Sequence, residues 1–509
     1  MVIPPKKKLP SPPVSAALGM AAAYYAYPAL SALNLGSRAI SWLMVLILFV
    51  FISVISLFRV LRISKISLLV TAAAVGFSLG IAARLNVSSQ AQMGLPNERV
   101  SSVSGILLDD PRTLNGGSGL GTLKLRECGA EGGLRASASG NMTVFFPAES
   151  IPRLKEFGRG CEIYADGYLS SGSMSVLFNA SSVHITKPAP ALEQFRTGLR
   201  ITLLDRFRSH GQSPWQGLGQ GREQNAPVWG GLASALLLGM RDDLNVDLSR
   251  EFRNSGCAHI LALSGMHLAI LSGVLAFLLR RPLGIRWASL AGAVFVVFYV
   301  FVAGSQPSLV RSAIMYLIAA FALWGFLKGS PFSLLCMAFI VQLVFQSNSG
   351  ISISFILSYL ALTGILTMGE TLRDLFRGRI PPLVSGTLSA SLGAFIVTAP
   401  VVIFFFGSLR PIGIIAGLVV VPISSLFIVL SLAALAASFI PVPLFAVCDF
   451  ALTLIYRFLE FLVSLAGRVP GLNFSNPIPA LVFLILFWFI LLFIHKLDYS
   501  YRNRIAPLD

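Results

Sequence analysis

Two histidines and a serine lie within nine residues of one another, at His259, Ser264 and His267. Such residues could form a nucleophile and its base, or part of a metal site. A hydrolase also needs an orienting group, and zinc needs a third or fourth ligand. The surrounding segment, residues 252–279, contains neither Asp nor Glu. The sequence therefore predicts no catalytic residue, no metal and no cofactor here.

His267 falls nine residues into an apolar stretch that starts at Ala258. At 1.5 Å per residue this predicts a depth of roughly 14 Å in a membrane, where ionisable groups face protein or water. The imidazole either lines a polar path or is neutral and bonded to a neighbouring helix carbonyl. Gly265 would allow another segment to approach closely.

Three more polar positions interrupt apolar stretches, and each has two interpretations. Arg311 either contacts phosphate through its guanidinium or extends to the membrane interface. Ser358 either lines a pore or bonds back to its own helix. Asp449, with Arg457 eight residues on and Glu460 another three, is either a proton-coupling or pore-polarity group or, as we favour, part of an internal ion pair that fixes helix register.

The elements that must position these residues are membrane spans. Of the 509 residues, 55% are hydrophobic and 12% are charged, and the apolar residues occur in blocks about as long as a spanning helix. The sequence predicts a polytopic α-helical membrane protein with about twelve spans. These are residues 14–33, 40–58, 66–83, 258–279, 287–303, 309–326, 332–345, 351–368, 384–406, 412–440, 444–465 and 477–494. The long window around Pro422 is either continuous or re-entrant.

The net charge of +17 indicates orientation before it indicates DNA binding. Residues 86–257 are almost neutral, with 17 Lys/Arg and 16 Asp/Glu, so the excess lies in the short loops and the termini. If successive spans cross the membrane in alternating directions, nearly every cluster of Lys and Arg lies on the same side of the membrane. We therefore expect both termini to lie in the cytoplasm.

Residues 86–190 are then external and contain five short candidate strands, at residues 100–108, 121–126, 141–146, 161–169 and 174–185. Five strands suit a small OB-like β-barrel, although any small β domain would fit. Cys128 and Cys161 form an even pair in an oxidising compartment, which predicts a disulfide. Residues 191–210 have helical periodicity and predict a helix on either the membrane surface or the β domain.

Residues 252–271, FRNSGCAHILALSGMHLAIL, resemble the core motif of the ComEC family of DNA-uptake channel proteins. The matching positions are Gly256, His259, Ala262, Ser264, Gly265 and His267. Residues 237–244, 308–315 and 355–361 resemble further family segments, and the domain order also agrees. Gly417 departs from the family, which often carries Asn in a comparable segment. Many members also have a C-terminal metallo-β-lactamase-like domain, and we expect this chain to be a short form without it.

The resemblance implies a channel in the bacterial inner membrane that translocates single-stranded transforming DNA into the cytoplasm, with His259, Ser264, Gly265, His267, Arg311 and Ser358 along its path. Implied partners are single-stranded DNA, membrane lipid, a DNA-delivery protein, and a cytoplasmic motor or single-stranded-DNA-binding protein, with a homo-oligomer left open. The chain has no P-loop ATPase motif, so we expect no enzyme activity. The alternatives are a secondary transporter or flippase for a small anionic solute or lipid, and an intramembrane hydrolase.

The expected domains follow from the spans and the resemblance. They are three N-terminal transmembrane helices at 1–84, an external OB-like domain at 85–190, amphipathic and linker helices at 191–257, a channel core at 258–495 and a cytoplasmic tail at 496–509.

Overall fold

The computed structural model describes residues 12–31, 64–85, 91–114, 117–171, 176–209, 229–325, 330–438 and 444–476, with residues 478, 482 and 485. The predicted span at 40–58, most of that at 477–494 and the tail at 496–509 lie outside these residues. Within them, six helices are long and apolar enough to cross a membrane. The protein is therefore an α-helical membrane protein, while the count of about twelve spans stays a prediction.

Two N-terminal helices cross with their backbones in contact. Helix α1 is Pro12–Ser31 and α2 is Ser64–Leu85. A Cβ atom added at Gly19 would lie 2.2 Å from the Ala73 carbonyl oxygen, and one added at Gly76 would lie 1.9 Å from that of Ala16. Small residues at such crossings replace side-chain packing by direct backbone contact, as is common in membranes.

The segment that the sequence predicts to be external folds as a sheet domain. One of its strands has the predicted limits, and four others lie close to the predicted ranges. The strands are β1 (Gln92–Met93), β2 (Val100–Leu107), β3 (Arg112–Thr113), β4 (Gly119–Ala130), β5 (Arg135–Ser139), β6 (Asn141–Phe146), β7 (Glu162–Ser171) and β8 (Val176–Lys187), with helix α3 (Ile151–Phe157) before β7. Alternate residues of β6 are buried, as expected for a strand with one face on a core.

The strand order is β1-β5-β4-β2-β7-β8-β6, and β6 also pairs with β4. All pairings are antiparallel except that between β6 and β8. The sequence predicted a five-stranded OB-like barrel. The structure confirms a sheet domain, but β1, β3 and β5 make it an eight-stranded sheet and not a simple closed barrel.

Helix α4, Ala191–Ser209, joins the sheet domain to the membrane helices. Its arginines Arg196 and Arg200 are buried, whereas Leu192 and Phe195 are exposed. The ion pairs of these arginines with the sheet domain favour the second of the two sequence interpretations, a helix packed on the β domain.

The remaining helices build the membrane part. They are α5 (Gly230–Leu238), α6 (Val246–Asn254), α7 (Ala258–Leu261), α8 (Gly265–Ala303), α9 (Pro307–Gly325), α10 (Pro331–Phe345), α11 (Ile353–Gly364), α12 (Glu370–Phe376), α13 (Pro382–Phe406), α14 (Ile412–Ala437) and α15 (Leu444–Gly467). A π-helical turn, Ile365–Gly369, joins α11 to α12. Short strands β9 (Ser408–Leu409) and β10 (Leu472–Asn473) pair with each other.

Two sequence questions about these helices are answered. Helix α14 is continuous through Pro422, so the re-entrant alternative is wrong. The predicted span 258–279 does not begin at Ala258 as one helix, because α7 ends at Leu261 and Ala262 has an extended conformation. Helix α8 begins only at Gly265 and continues through a non-helical Gly284 across the second predicted span.

Candidate functional site

The break between α7 and α8 holds His267 in a fixed orientation. Ser264, in extended conformation, precedes the first turn of α8. Its backbone N–H donates to His267 Nδ1 at 3.0 Å, and its hydroxyl lies 3.0 Å from the same nitrogen. Because Nδ1 accepts the backbone N–H, the neutral ring carries its proton on Nε2.

The position of His267 differs from the sequence prediction. The side chain is fully buried but lies in the first turn of α8, not nine residues along a helix that begins at Ala258. The residues of the break, Ala262–Ser264, cannot be distinguished from a helix by hydropathy, because two of them are apolar. His267 Nε2 is buried and has no hydrogen-bond partner among the described residues.

Gly265 brings α9 against this turn. A Cβ atom added there would lie 2.2 Å from Ser312 Oγ and 3.2 Å from a terminal nitrogen of Arg311. The first distance is shorter than real contacts allow, so only glycine fits without a shift. The expected close approach is therefore present, and side chains of α9 make it.

Arg311 lies in α9 and is buried, with only 9% of its surface exposed. It donates a hydrogen bond to the backbone carbonyl of Ser358 in α11. Its guanidinium carbon lies 5.8 Å from the centre of the Tyr359 ring, within cation–π range. The Nε atom is buried without a partner in the described part of the chain.

Two residues that the sequence analysis missed support Arg311. The Tyr359 hydroxyl donates to Gln342 Oε1 at 2.9 Å, and Gln342 Nε2 donates to the Pro307 carbonyl at 2.9 Å. Gln342 is fully buried in α10. A glutamine within an otherwise apolar helix is a signal that the sequence offered, since polar groups in membranes are costly unless partnered.

Ser308 adds a polar contact between α9 and the break that precedes α8. Its hydroxyl donates to the Leu263 carbonyl at 2.6 Å, which satisfies an acceptor that the interrupted helix leaves open. Helix α9 thus contacts both the break, through Ser308, and the first turn of α8, through Ser312. We call Ser264, His267, Arg311, Gln342 and Tyr359 the buried polar cluster.

His259 does not join this cluster, because it is exposed on α7, before the break. Ser358 contributes its backbone carbonyl to Arg311. Gly256 has a positive φ of 75°, and a Cβ atom there would lie 2.9 Å from the Gly413 Cα atom at the start of α14. This close backbone contact explains a glycine at that position of the motif.

Asp449 lies outside the cluster. Trp229 Nε1 donates to its carboxylate at 2.8 Å, and both side chains are buried. Arg457 pairs with Glu460 at 2.9 Å. The favoured interpretation, an internal ion pair of Asp449, is wrong, because its carboxylate accepts from an indole N–H while Arg457 pairs with Glu460.

The predicted disulfide is wrong, because Cys128 and Cys161 are free. Cys128 pairs with Val103, whereas the Cys161 carbonyl accepts from the backbone of Leu107, four residues further along β2. At ~3.4 Å per residue the two cysteines are offset by roughly 14 Å along the strand, beyond the reach of a disulfide. Burial raises the pKa of the Cys161 thiol to about 11, so it is unreactive at neutral pH.

Charged residues fix the sheet domain over the membrane helices. Asp110, which follows β2, pairs with Arg196 at 2.7 Å and with Arg200, and Arg196 Nε donates to the Phe301 carbonyl of α8 at 2.8 Å. Arg159 and Glu193 add a two-pronged pair at 2.8 and 2.9 Å. Burial by itself raises the pKa of the Asp110 carboxyl, but the bond from Arg196 and the two positive charges outweigh it and lower that pKa.

The sequence profile of the family described as Competence protein matches residues 236–498, just over half of the chain, and this range contains the whole buried polar cluster. The chain belongs to the competence protein family. This family-wide match includes the motif at residues 252–271 and confirms the ComEC-type resemblance.

Three relatives are similar to parts of this chain. This competence-family protein is 28% identical over 245 residues to an uncharacterized protein of Aquifex aeolicus, covering 48% of this chain and 56% of that protein. It is 26% identical over 273 residues to ComE operon protein 3 of Bacillus subtilis, covering 52% and 34% respectively. It is 28% identical over 323 residues to competence protein ComA of Neisseria gonorrhoeae, covering 58% and 45%. The matches thus span between a third and just over half of these relatives.

Proposed function

We propose that this protein is an inner-membrane channel that passes single-stranded transforming DNA into the cytoplasm. The observation that carries the proposal is the burial of His267 and Arg311 on facing helices inside the region matched by the family. Each has an unpartnered ring or guanidinium nitrogen among the described residues. Buried polar groups without partners are costly, so their retention points to a ligand that satisfies them in the working state.

The donor set suits phosphate. Arg311 offers N–H groups in a planar fork that matches phosphate oxygens, and the neutral imidazole of His267 offers one more donor from Nε2. A strand that carries one charge per nucleotide must enter such a site but must also leave it. One fixed cation beside a neutral donor lowers the cost of entering without holding the strand tightly.

DNA passage requires the helices to separate. His267 is fully buried and Arg311 nearly so, and Gly265 is in close contact with Ser312. In this proposal α9 and α11 move away from the first turn of α8, and Ser264, Gly265, Arg311 and Ser358 then line the path. His259, exposed on α7, lies outside the closed cluster and serves at its mouth.

The remaining assignments belong to the same proposal. In this proposal the eight-stranded sheet domain is external. Both termini are cytoplasmic, and the domain boundaries are those expected from the sequence. A DNA-delivery protein supplies the strand, and a cytoplasmic motor or single-stranded-DNA-binding protein draws it inward.

Marker transformation in a deletion strain tests the function, scored beside the binding of labelled DNA at the cell surface. We expect transformation to be lost while surface binding persists, and a plasmid copy of the chain to restore transformation. Normal transformation in the deletion strain would contradict the channel and would favour a transporter or flippase.

A further inference from the structure

A polar cavity of about 390 Å³ lies on the sheet domain, within the range of roughly 300–1,000 Å³ that small-molecule sites occupy. It is lined by eleven residues of β2, β4, β5, β7 and β8, and nine of them have hydroxyl, carboxylate, imidazole or basic side chains. Tyr164, in its wall, lies between the buried residues Ile163 and Ala165. Because side chains alternate along a strand, Tyr164 belongs to the face of the sheet opposite the apolar core.

The strand register places four different side chains of the cavity in one row. Ser104 pairs with Glu127 on one side and with Tyr164 on the other, and Tyr164 pairs with His184. Neighbouring strands lie ~4.8 Å apart, so the row from Glu127 to His184 is roughly 14 Å long. Among the described residues no group of side chains is placed to hold a metal ion. The row therefore suits an extended ligand better than a single ion.

Two β-bulges turn further polar side chains toward this face. The pairing of β2 with β4 shifts beside Glu127, and Arg126 and Glu127 are both exposed, where strict alternation would bury one of them. The pairing of β7 with β8 shifts beside Glu162, and Thr186 and Lys187 are both exposed. Bulges commonly re-aim side chains next to binding sites. Here they bring charged and hydroxyl groups to two sides of the same cavity.

Gly129 keeps the base of the cavity open. A Cβ atom added at Gly129 would lie 2.4 Å from Ser102 Oγ. Both residues line the cavity, so any side chain at residue 129 would cover the Ser102 hydroxyl. Glycine leaves that hydroxyl accessible to a ligand.

The charges of the cavity balance one another. Glu162 pairs with Arg126 at 2.8 Å and with Lys187 at 3.1 Å. The hydrogen bond from Lys187 and the Arg126 guanidinium lower the pKa of the Glu162 carboxyl, which therefore accepts hydrogen bonds at neutral pH. The other charged residues of the wall are Glu127 and Arg135, again one of each sign. A polyanion such as DNA would meet two carboxylates and gain no net attraction.

An apolar ligand is also a poor match, because no aliphatic side chain lines the cavity in the part of the chain that the structure describes. The ligand that complements the cavity is uncharged and carries many hydrogen-bonding groups. Sugar hydroxyls donate to carboxylates and accept from hydroxyl, imidazole and basic groups. The C–H bonds of a sugar ring are weakly positive, so they are attracted to the negative face of an aromatic ring.

We infer that this cavity binds a neutral saccharide, with a sugar ring against Tyr164 and its hydroxyls on Glu127, Ser104 and His184. The site is separate from the buried polar cluster and does not rest on the proposed channel function. Loss of saccharide binding would therefore leave DNA import untested, and loss of import would not bear on the saccharide.

Calorimetric titration of the full chain with chitotetraose tests the site. The protein is held in lipid nanodiscs, because detergents with sugar head groups would compete. Tyr164→Ala should lower the affinity about fivefold by removing the ring contact. Glu127→Gln should also lower it about fivefold, since a neutral acceptor replaces a charged one.

Tyr168→Ala and Glu131→Gln are the matched controls and should leave the affinity unchanged. Tyr168 lies in the same strand as Tyr164 and is 62% exposed, and Glu131 is exposed just after β4, but neither lines the cavity. A parallel titration with cellotetraose, which lacks acetamido groups, separates two sources of affinity. Binding of cellotetraose supports a site for sugar hydroxyls alone, and binding of chitotetraose only supports a site that also recognises the acetamido group.

Failure of the wild-type protein to bind either sugar would overturn the site, as would equal losses of affinity in Tyr164→Ala and Tyr168→Ala. Displacement of the sugar by a single-stranded oligonucleotide would also overturn it, because DNA would then be the ligand of this face. If Tyr164→Ala does not accumulate, the comparison of Glu127→Gln with Glu131→Gln decides the question.

Discussion

The hydroxyl of Tyr359 donates to the side-chain oxygen of Gln342 while the ring of Tyr359 lies under the guanidinium of Arg311. One tyrosine therefore joins three helices, since Gln342 belongs to α10, Tyr359 to α11 and Arg311 to α9. Gln342 in turn donates to the Pro307 carbonyl at the start of α9. The position of Arg311 thus depends on contacts at two different points of its own helix.

Tyr359→Phe should lower DNA import without abolishing it, because the ring remains under Arg311 and only a hydrogen bond of about 0.5–1.5 kcal/mol is lost. Gln342→Leu should have a similar effect. In an Arg311→Lys background, where part of the import remains, neither change should lower import further, because both act by positioning the guanidinium. Import is measured as transformants per cell at matched protein abundance, and additive losses would show that the pair acts on the fold and not through Arg311.

Arg311→Ala should abolish import while membrane insertion and surface DNA binding persist, because the site loses its only charged donor. Arg311→Lys should restore import partly if paired phosphate geometry matters and largely if charge alone is enough. His267→Ala removes the second donor and should also abolish import. Normal import by both alanine variants at normal abundance would remove these residues from the path.

Gly265→Ala should impair import, since the new methyl group would lie 2.2 Å from Ser312 Oγ and overpacking costs about 1–3 kcal/mol. Ser312→Ala in the same protein removes that oxygen and should restore import partly. Gly273→Ala is the control on the same helix, because nothing lies within 4 Å of its added Cβ atom. Equal losses of import in Gly265→Ala and Gly273→Ala would mean that the defect of Gly265→Ala is not steric.

Asp110 should stabilise the docking of the sheet domain above about pH 4. Its pKa is lowered in the folded protein, so its contribution is complete above the unfolded-state value of about 3.9 and is lost as the pH falls through the folded value. Asp110→Asn should lower the free energy of unfolding by about 2 kcal/mol, and by the same amount at pH 7 and at pH 5. The difference from wild type should shrink below pH 4, and a difference that changes between pH 7 and pH 5 would implicate another group.

The sequence predicted most of the membrane helices and the sheet domain because both rest on local patterns. Strand β6 has the predicted limits, and α14 covers most of its predicted window. The short strands β1, β3 and β5 were missed, because two-residue strands and a strand rich in Ser and Ala carry little periodicity. The break before Gly265 was missed because its residues are as apolar as a helix.

The site was predicted in part. The family resemblance selected Ser264, Gly265, His267 and Arg311, which the structure brings together, but it also selected His259, which lies apart. Gln342 and Tyr359 lie 17 residues apart in the chain, and they join the cluster through a hydrogen bond between two different helices. The error over Cys128 and Cys161 has the same origin, since strand register decides the pairing and spacing does not reveal it.

The central claim is that DNA passes where α8 meets α9, and a reversible cross-link tests it most directly. In a chain whose native cysteines are replaced, Gly265→Cys and Ser312→Cys place two thiols where a Cβ atom at 265 lies 3.2 Å from that of residue 312. We expect the reduced pair to import labelled DNA at a lowered rate, as Gly265→Ala does, and the oxidised pair to import none, with the lowered rate restored on reduction and each single-cysteine variant insensitive to oxidant. Import at equal rates in the oxidised and reduced protein, with the cross-link verified by mass spectrometry, would contradict the account.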